Sequence, residues 1–163
     1  MKSAIVYYSY SGNTKKVAQS LCDHLRQKGE VDIVELKPLD ESDSFFGQCR
    51  RAFKRQRAKI AAVNFDLSGY DLICFGSPVW AFAPAPAMNT YLDNVQGIGN
   101  KEIILFTTFG SGTGNNRCLN YMQRILAKKG ASSACRRFSI QQFKVNDQEF
   151  VNAKIQAALS QNE

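Results

Sequence analysis

The chain has 163 residues, 44% of them apolar and 11% aromatic, which suits a single domain with a sizeable core and argues against a disordered segment. Its 21 Lys and Arg against 14 Asp and Glu leave a net charge of +7, which first points to an acidic partner such as nucleic acid, an anionic protein or a membrane surface. Residues 1–43 hold six basic and seven acidic side chains and residues 44–163 hold fifteen and seven, so the surplus sits in the later part of the chain.

No apolar run approaches the roughly 18 residues of a bilayer span. A single Lys precedes the first apolar run, without the pattern of a signal peptide. The five cysteines (Cys22, Cys49, Cys74, Cys118, Cys135) are odd in number and contain no C-x-x-C pair, which suits reduced, mostly buried thiols and a cytoplasmic location. The one histidine, His24, leaves no basis for a His-rich metal site; a helix-terminal surface role is expected for it.

Apolar periodicity predicts strands alternating with helices. Ala4–Tyr8 reads as a first strand, and Val17, Leu21 and Leu25 recur at helical spacing up to Gly29. Val31–Leu36 reads as a second strand, broken by Asp32 and Glu35. Leu72–Phe75 is a third, followed by Met88, Leu92 and Val95 on one helical face. Ile103–Phe106 is a fourth, and Cys118, Met122 and Ile125 share a helix that ends at Gly130. Phe138 and Ile140 alternate with polar neighbours as a fifth strand, and Phe150, Val151, Ile155 and Leu159 mark a last helix. Strands one, three and four are unbroken apolar runs, as central parallel strands are; two and five are mixed and suit edges. The expectation is one α/β domain over 1–163. It would be a three-layer α/β/α sandwich with a five-stranded parallel sheet of order 2-1-3-4-5.

Ligands of such sheets bind beyond the carboxyl ends of the strands, where strand order reverses. The three most unusual stretches of the sequence fall there. Ser9-Tyr10-Ser11-Gly12-Asn13-Thr14 joins a buried strand to a helix and is dense in hydroxyls. Its amides and the helix N-terminus would cradle a phosphate monoester, with a plain helix cap as the simpler reading. It matches neither the Walker A nor the G-x-G-x-x-G frame. Gly76-Ser77-Pro78-Val79-Trp80-Ala81-Phe82-Ala83-Pro84 is a stiff, aromatic stretch. Trp80 offers a face to a flat ligand, or fills a gap under the next helix. In Thr107-Thr108-Phe109-Gly110-Ser111-Gly112-Thr113-Gly114, alternate glycines let the backbone approach a ligand, or simply turn the chain into the next helix.

Ser9-x-Ser11-Gly12-Asn13-Thr14 after the first strand resembles the phosphate loop of flavodoxins and flavodoxin-like FMN proteins, and Tyr70 through Trp80 is similar to their third-strand region. The resemblance covers nearly the whole chain and implies a flavodoxin-like fold holding FMN without a covalent bond. It implies that Ser9, Tyr10, Ser11, Gly12, Asn13 and Thr14 hold the terminal phosphate. Pro78, Val79, Trp80, Ala81 and Phe82 would flank the flavin ring, with Thr108, Phe109, Gly110, Ser111 and Gly112 against its pyrimidine edge. Phe109 stands near a position where the family often has a tyrosine. No side chain is assigned a catalytic or metal-binding role.

Arg50 through Lys59 carries six cations and no acid. Phe45, Phe46, Cys49, Phe53 and Ile60 recur at roughly helical spacing, so this segment reads as an amphipathic helix with its aromatics toward the core and its cations outward. It is a solvated face, or a docking patch for an acidic redox partner or the phosphates of NAD(P)H. Nucleic acid is disfavoured, because no aromatic interleaves with the cations for base stacking. Cys49-x5-Arg55 meets the formal frame of a phosphatase loop, but no Ser or Thr follows the Arg and no strand precedes it. The functional expectation is an FMN protein that moves electrons, as a carrier or as an NAD(P)H oxidoreductase of quinone-reductase type. A flavin-free docking module is the alternative.

Overall fold

Alternation along the first strand divides the core in two. Ala4, Val6 and Tyr8 point into one apolar cluster, and Ile5 and Tyr7 into another on the opposite face of the sheet. The computed structural model describes residues 1–40, 44–110, 112–132 and 135–160. The elements are β1 (Lys2–Tyr7), α1 (Asn13–Arg26), β2 (Glu30–Glu35), α2 (Phe45–Phe53), β3 (Leu72–Trp80), β4 (Ala83–Pro84), α3 (Pro86–Asn94), β5 (Glu102–Phe109), α4 (Asn115–Lys128), β6 (Arg136–Gln141) and α5 (Gln148–Leu159).

The long strands lie in the order β2-β1-β3-β5-β6, all parallel, which is the expected flavodoxin-like order with β5 and β6 as its fourth and fifth members. Val17, Leu21 and Leu25 of α1 and Val151 and Ile155 of α5 cover one face. Met88, Tyr91 and Leu92 of α3 and Cys118, Met122 and Leu126 of α4 cover the other. The central strands are buried nearly throughout, whereas β2 is exposed or half-buried along its length. A strand covered by helices on both faces is apolar along most of its length, and an edge strand need not be.

Two features depart from expectation. The stretch after Phe75 is not a loop: β3 continues to Trp80, turns at Ala81–Phe82 and returns as the short antiparallel strand β4, with Trp80 opposite Ala83. Both turn residues have positive φ, 47° at Ala81 and 66° at Phe82. Two-residue turns of that kind are ordinarily signalled by Asn-Gly or Asp-Gly, so this sequence carries no local mark of the hairpin. The second departure is α2. Phe46 is 85% exposed and Phe53 70%, while Ala52 of the same helix is buried. The helix is only nine residues long and ends before most of the cations, and Phe46 and Phe53 do not form the expected core face.

Candidate functional site

The carboxyl ends of β1, β3 and β5 converge, and the chain leaves them through the three stretches singled out by sequence. At the first, Gly12 takes the left-handed conformation (φ 83°) and turns the chain into α1. Its N-cap residue, Gly12, offers no side-chain cap. The first intrahelical bond runs from Lys16 N–H to the Gly12 carbonyl, and Lys15 N–H donates to Ser9 Oγ at 3.2 Å. The helix itself thus has no use for the N–H groups of Asn13 and Thr14. Asn13 Nδ2 donates to Ser11 Oγ, 3.2 Å away, and the Thr14 and Thr108 hydroxyls pair at 2.8 Å, tying the first stretch to the third.

The hairpin forms the next wall. Buried Ser77 donates its hydroxyl to the Pro78 carbonyl and accepts the N–H of Ala85, both at 3.0 Å, which clamps the two arms. Trp80 is only 5% exposed. Tyr8 and Tyr10 meet it edge to face, with ring centroids 5.6 and 5.5 Å away, so the indole is a fixed wall and not an open stacking plate. Phe82 points away from this wall and lies over Gly114 at the entry to α4. A Cβ on Gly114 would stand 2.5 Å from Cδ1 of that ring, and Gly114 itself has φ 98°, so the position is closed to a side chain twice over. The Arg117 guanidinium lies 5.8 Å from the centre of the same ring.

Between these walls lies a cavity of about 450 Å³, lined by Tyr10, Ser11, Asn13 and Thr14 from the first stretch, Pro78, Val79, Trp80 and Ala81 from the hairpin, and Thr108, Phe109 and Gly110 from the end of β5. Ser9 and Gly12 shape the first loop without lining the cavity, and Phe82 lines a smaller recess beside it. Gly112 does not line it either, and Ser111 lies outside the described residues. The third stretch is less of a loop than expected, because Thr107, Thr108 and Phe109 still pair with β6.

Two lining residues escaped sequence reasoning. Gln142, in the single 3-10 turn after β6, was accessible to the same rule that found the others, since it lies just beyond a strand's carboxyl end. Its neighbour Gln141 donates Nε2–H to the Gly110 carbonyl at 3.1 Å. Cys49 comes from α2, and nothing in the local sequence places that helix over the cavity. Burial pushes the Cys49 thiol up from its ordinary value, so it is held as a neutral wall group.

Among the described residues, the lining contains no Asp, Glu, Lys, Arg or His. Hydroxyls and amides (Ser11, Asn13, Thr14, Thr108) gather where α1 begins, and aromatic and aliphatic groups make the hairpin wall. Such a donor set accepts a phosphate through neutral hydrogen bonds and a flat ring through apolar contact. Among the described residues, no group of three or more His, Cys, Asp or Glu could hold a metal ion, and no helix is long and apolar enough to cross a membrane.

Residues 2–131 match the flavodoxin family, and the chain belongs to it. Solved structures agree on the fold. A flavoprotein from Lactobacillus acidophilus, crystallised in complex with FMN, is 22% identical, with 91% of this chain and 98% of that one covered at a TM-score of 0.64. Oxidised flavodoxin 2 from Bacillus cereus is 19% identical, with 98% of each chain covered and a TM-score of 0.67.

Proposed function

We propose that the protein binds FMN in the cavity at the ends of β1, β3 and β5 and transfers electrons through it. The observation that carries this reading is the two-ended lining, uncharged among the described residues: open amides and hydroxyls at the start of α1, and a rigid aromatic wall from the hairpin. FMN has a phosphate at one end and a flat tricycle at the other, and supplies one- or two-electron chemistry when bound. The N–H groups of Asn13 and Thr14, with the hydroxyls of Ser11 and Thr14, hold the phosphate, and Ser9 shapes the loop by accepting Lys15 N–H. Pro78, Val79, Trp80 and Ala81 face the ring on one side. Thr108, Phe109 and Gly110 offer backbone and hydroxyl donors to its polar edge, and Ser111 and Gly112 continue that segment. Phe82 acts at one remove, by fixing the hairpin against α4.

Exposed Phe46 and Phe53, with Arg50 and Lys54 on the same side of α2, favour an acidic protein as redox partner over a nicotinamide nucleotide. Cys49 of that helix lies in the cavity wall, which brings this surface next to the cofactor site. Purified protein is expected to be yellow and to release one FMN per chain on denaturation. A colourless protein that takes up no added FMN overturns the reading. Rapid mixing with NADPH separates the two routes: no direct bleaching supports the carrier, and fast bleaching assigns an NAD(P)H oxidoreductase.

A further inference from the structure

A second concave site lies away from this cavity. It is a pocket of about 480 Å³ lined by Arg55 and Arg57 from the exit of α2, Asp93 from α3, Lys129, and Tyr121, Arg124, Ile125 and Lys128 from α4. Along α4 these residues fall at i, i+3, i+4 and i+7, so a single helix face supplies that wall. Five cationic side chains and one carboxylate share the pocket.

The carboxylate is already used. Asp93 accepts Arg57 Nε–H at 2.6 Å and Nη2–H at 2.9 Å, a two-point grip that fixes the guanidinium. Lys129 donates to the carbonyls of Asp93 (2.6 Å) and Val95 (3.3 Å) at the end of α3. Arg55 adopts φ 51°, a conformation costly for a non-glycine residue, and its guanidinium lies 4.5 Å from the centre of the Tyr121 ring. That stacking leaves its N–H edge free to donate. Arg55, Arg124 and Lys128 make no ion pair with any described residue. Like charges gathered on one concave surface repel one another, and a bound anion removes that cost. Lys128, in the last turn of α4, also faces the negative end of that helix; Arg124, one turn earlier, has no such counterpart.

We propose that this pocket binds a small ligand carrying a diphosphate or two phosphate monoesters, with Arg55, Arg124 and Lys128 as its phosphate contacts and Arg57 as the fixed guanidinium beside them. Two positioned arginines favour the planar, multidentate pairing that phosphate oxygens offer. A concave site of about 480 Å³, whose walls converge from the exit of α2, from α3 and from α4, suits a small molecule better than the flat flank of an acidic protein.

The test is calorimetric titration of the protein in saturating FMN with inorganic pyrophosphate at low ionic strength. FMN keeps the phosphate loop of the first cavity out of the measurement. Arg124→Glu with Lys128→Glu is expected to weaken binding at least tenfold. Lys28→Glu with Lys154→Glu, an equal charge change on the α1/α5 face, is expected to change it less than threefold. Parallel titrations with ADP and adenosine 2′,5′-bisphosphate identify the source: tighter binding than pyrophosphate assigns a nucleotide, and equal binding assigns the phosphates alone. The proposal is overturned if the α4 pair and the control pair weaken pyrophosphate equally. It is also overturned if pyrophosphate fails to bind, including where a hexaglutamate peptide does. The α4 comparison reads out even in protein that retains no FMN, so failure here is distinct from failure of the flavin assignment.

Discussion

The hydroxyls of Thr14 and Thr108 lie 2.8 Å apart, although 94 residues separate them in the chain. Both residues are buried, and their bond joins the first turn of α1 to the end of β5 across the candidate cofactor cavity. Thr108→Val keeps the shape of the side chain and leaves the Thr14 hydroxyl without this partner. We expect a loss of about 1–3 kcal/mol in urea denaturation without flavin. Affinity for FMN should also fall, because Thr14 lies in the turn that would hold the phosphate. Thr108→Ser, which keeps the hydroxyl, should restore most of both.

Gly114 and Phe82 form a second long-range match. Gly114→Ala meets two obstacles, the left-handed backbone and the Phe82 ring. Phe82→Ala is expected to fold well, since the ring is substantially exposed. Adding Gly114→Ala to that variant should remove the steric part of the penalty and leave a backbone part of about 1–2 kcal/mol. A double-mutant cycle by thermal or urea denaturation checks this. Additivity of the two substitutions would mean that the ring does not constrain the glycine.

Trp80 is the only tryptophan, so the intrinsic fluorescence of the protein reports on the hairpin wall. Its burial predicts blue-shifted emission. Titration with FMN should quench that emission in step with the uptake of bound flavin. Unchanged emission at full flavin loading would place the ring away from this wall.

The positive surplus bears on redox tuning. No charged side chain among the described residues lines the cavity, so the described cations act on a bound flavin from a distance, through a field that salt screens. Reduction adds negative charge to the flavin, and a positive surrounding favours it. The reduction potential is therefore expected to lie above that of an acidic relative and to fall as salt is added. Arg50→Glu with Lys54→Glu should lower it further at low ionic strength. Spectroelectrochemistry at two salt concentrations measures each effect.

Alkaline stability should depend on Tyr70. Its hydroxyl donates to Asp32 Oδ2 at 2.7 Å; that bond, with burial and the negative carboxylate, pushes the phenol up to about 12 from an ordinary value of 10.0. A raised folded-state value means that the stabilisation is complete below pH 10 and is lost as pH rises from there through about 12. Tyr70→Phe should remove this part of the decline and lower stability near neutrality. Denaturation midpoints between pH 8 and 12 provide the check.

The strand order was legible because burial on both faces demands unbroken apolar runs. Leu72–Phe75 and Ile103–Phe106 read as central strands, and the charges within Val31–Leu36 suited an edge. Helix α2 was misread for the same kind of reason. Phe46 and Phe53 keep a helical spacing, but spacing alone does not say whether a face meets a sheet or solvent, and here the face is exposed.

By itself, the sequence determined the layered α/β architecture and the three stretches that meet at the sheet's carboxyl edge, because both follow from periodicity and from hydroxyl and glycine content read over a few residues. Only the tertiary structure decided which of those residues line a cavity. It brought in Cys49 and Gln142, set Phe82 against Gly114 and made Trp80 a wall. It also collected Arg55, Arg57, Arg124, Lys128 and Lys129 around a second pocket. Each of these depends on contacts between segments far apart in the chain, and no local pattern encodes the distance between two such segments.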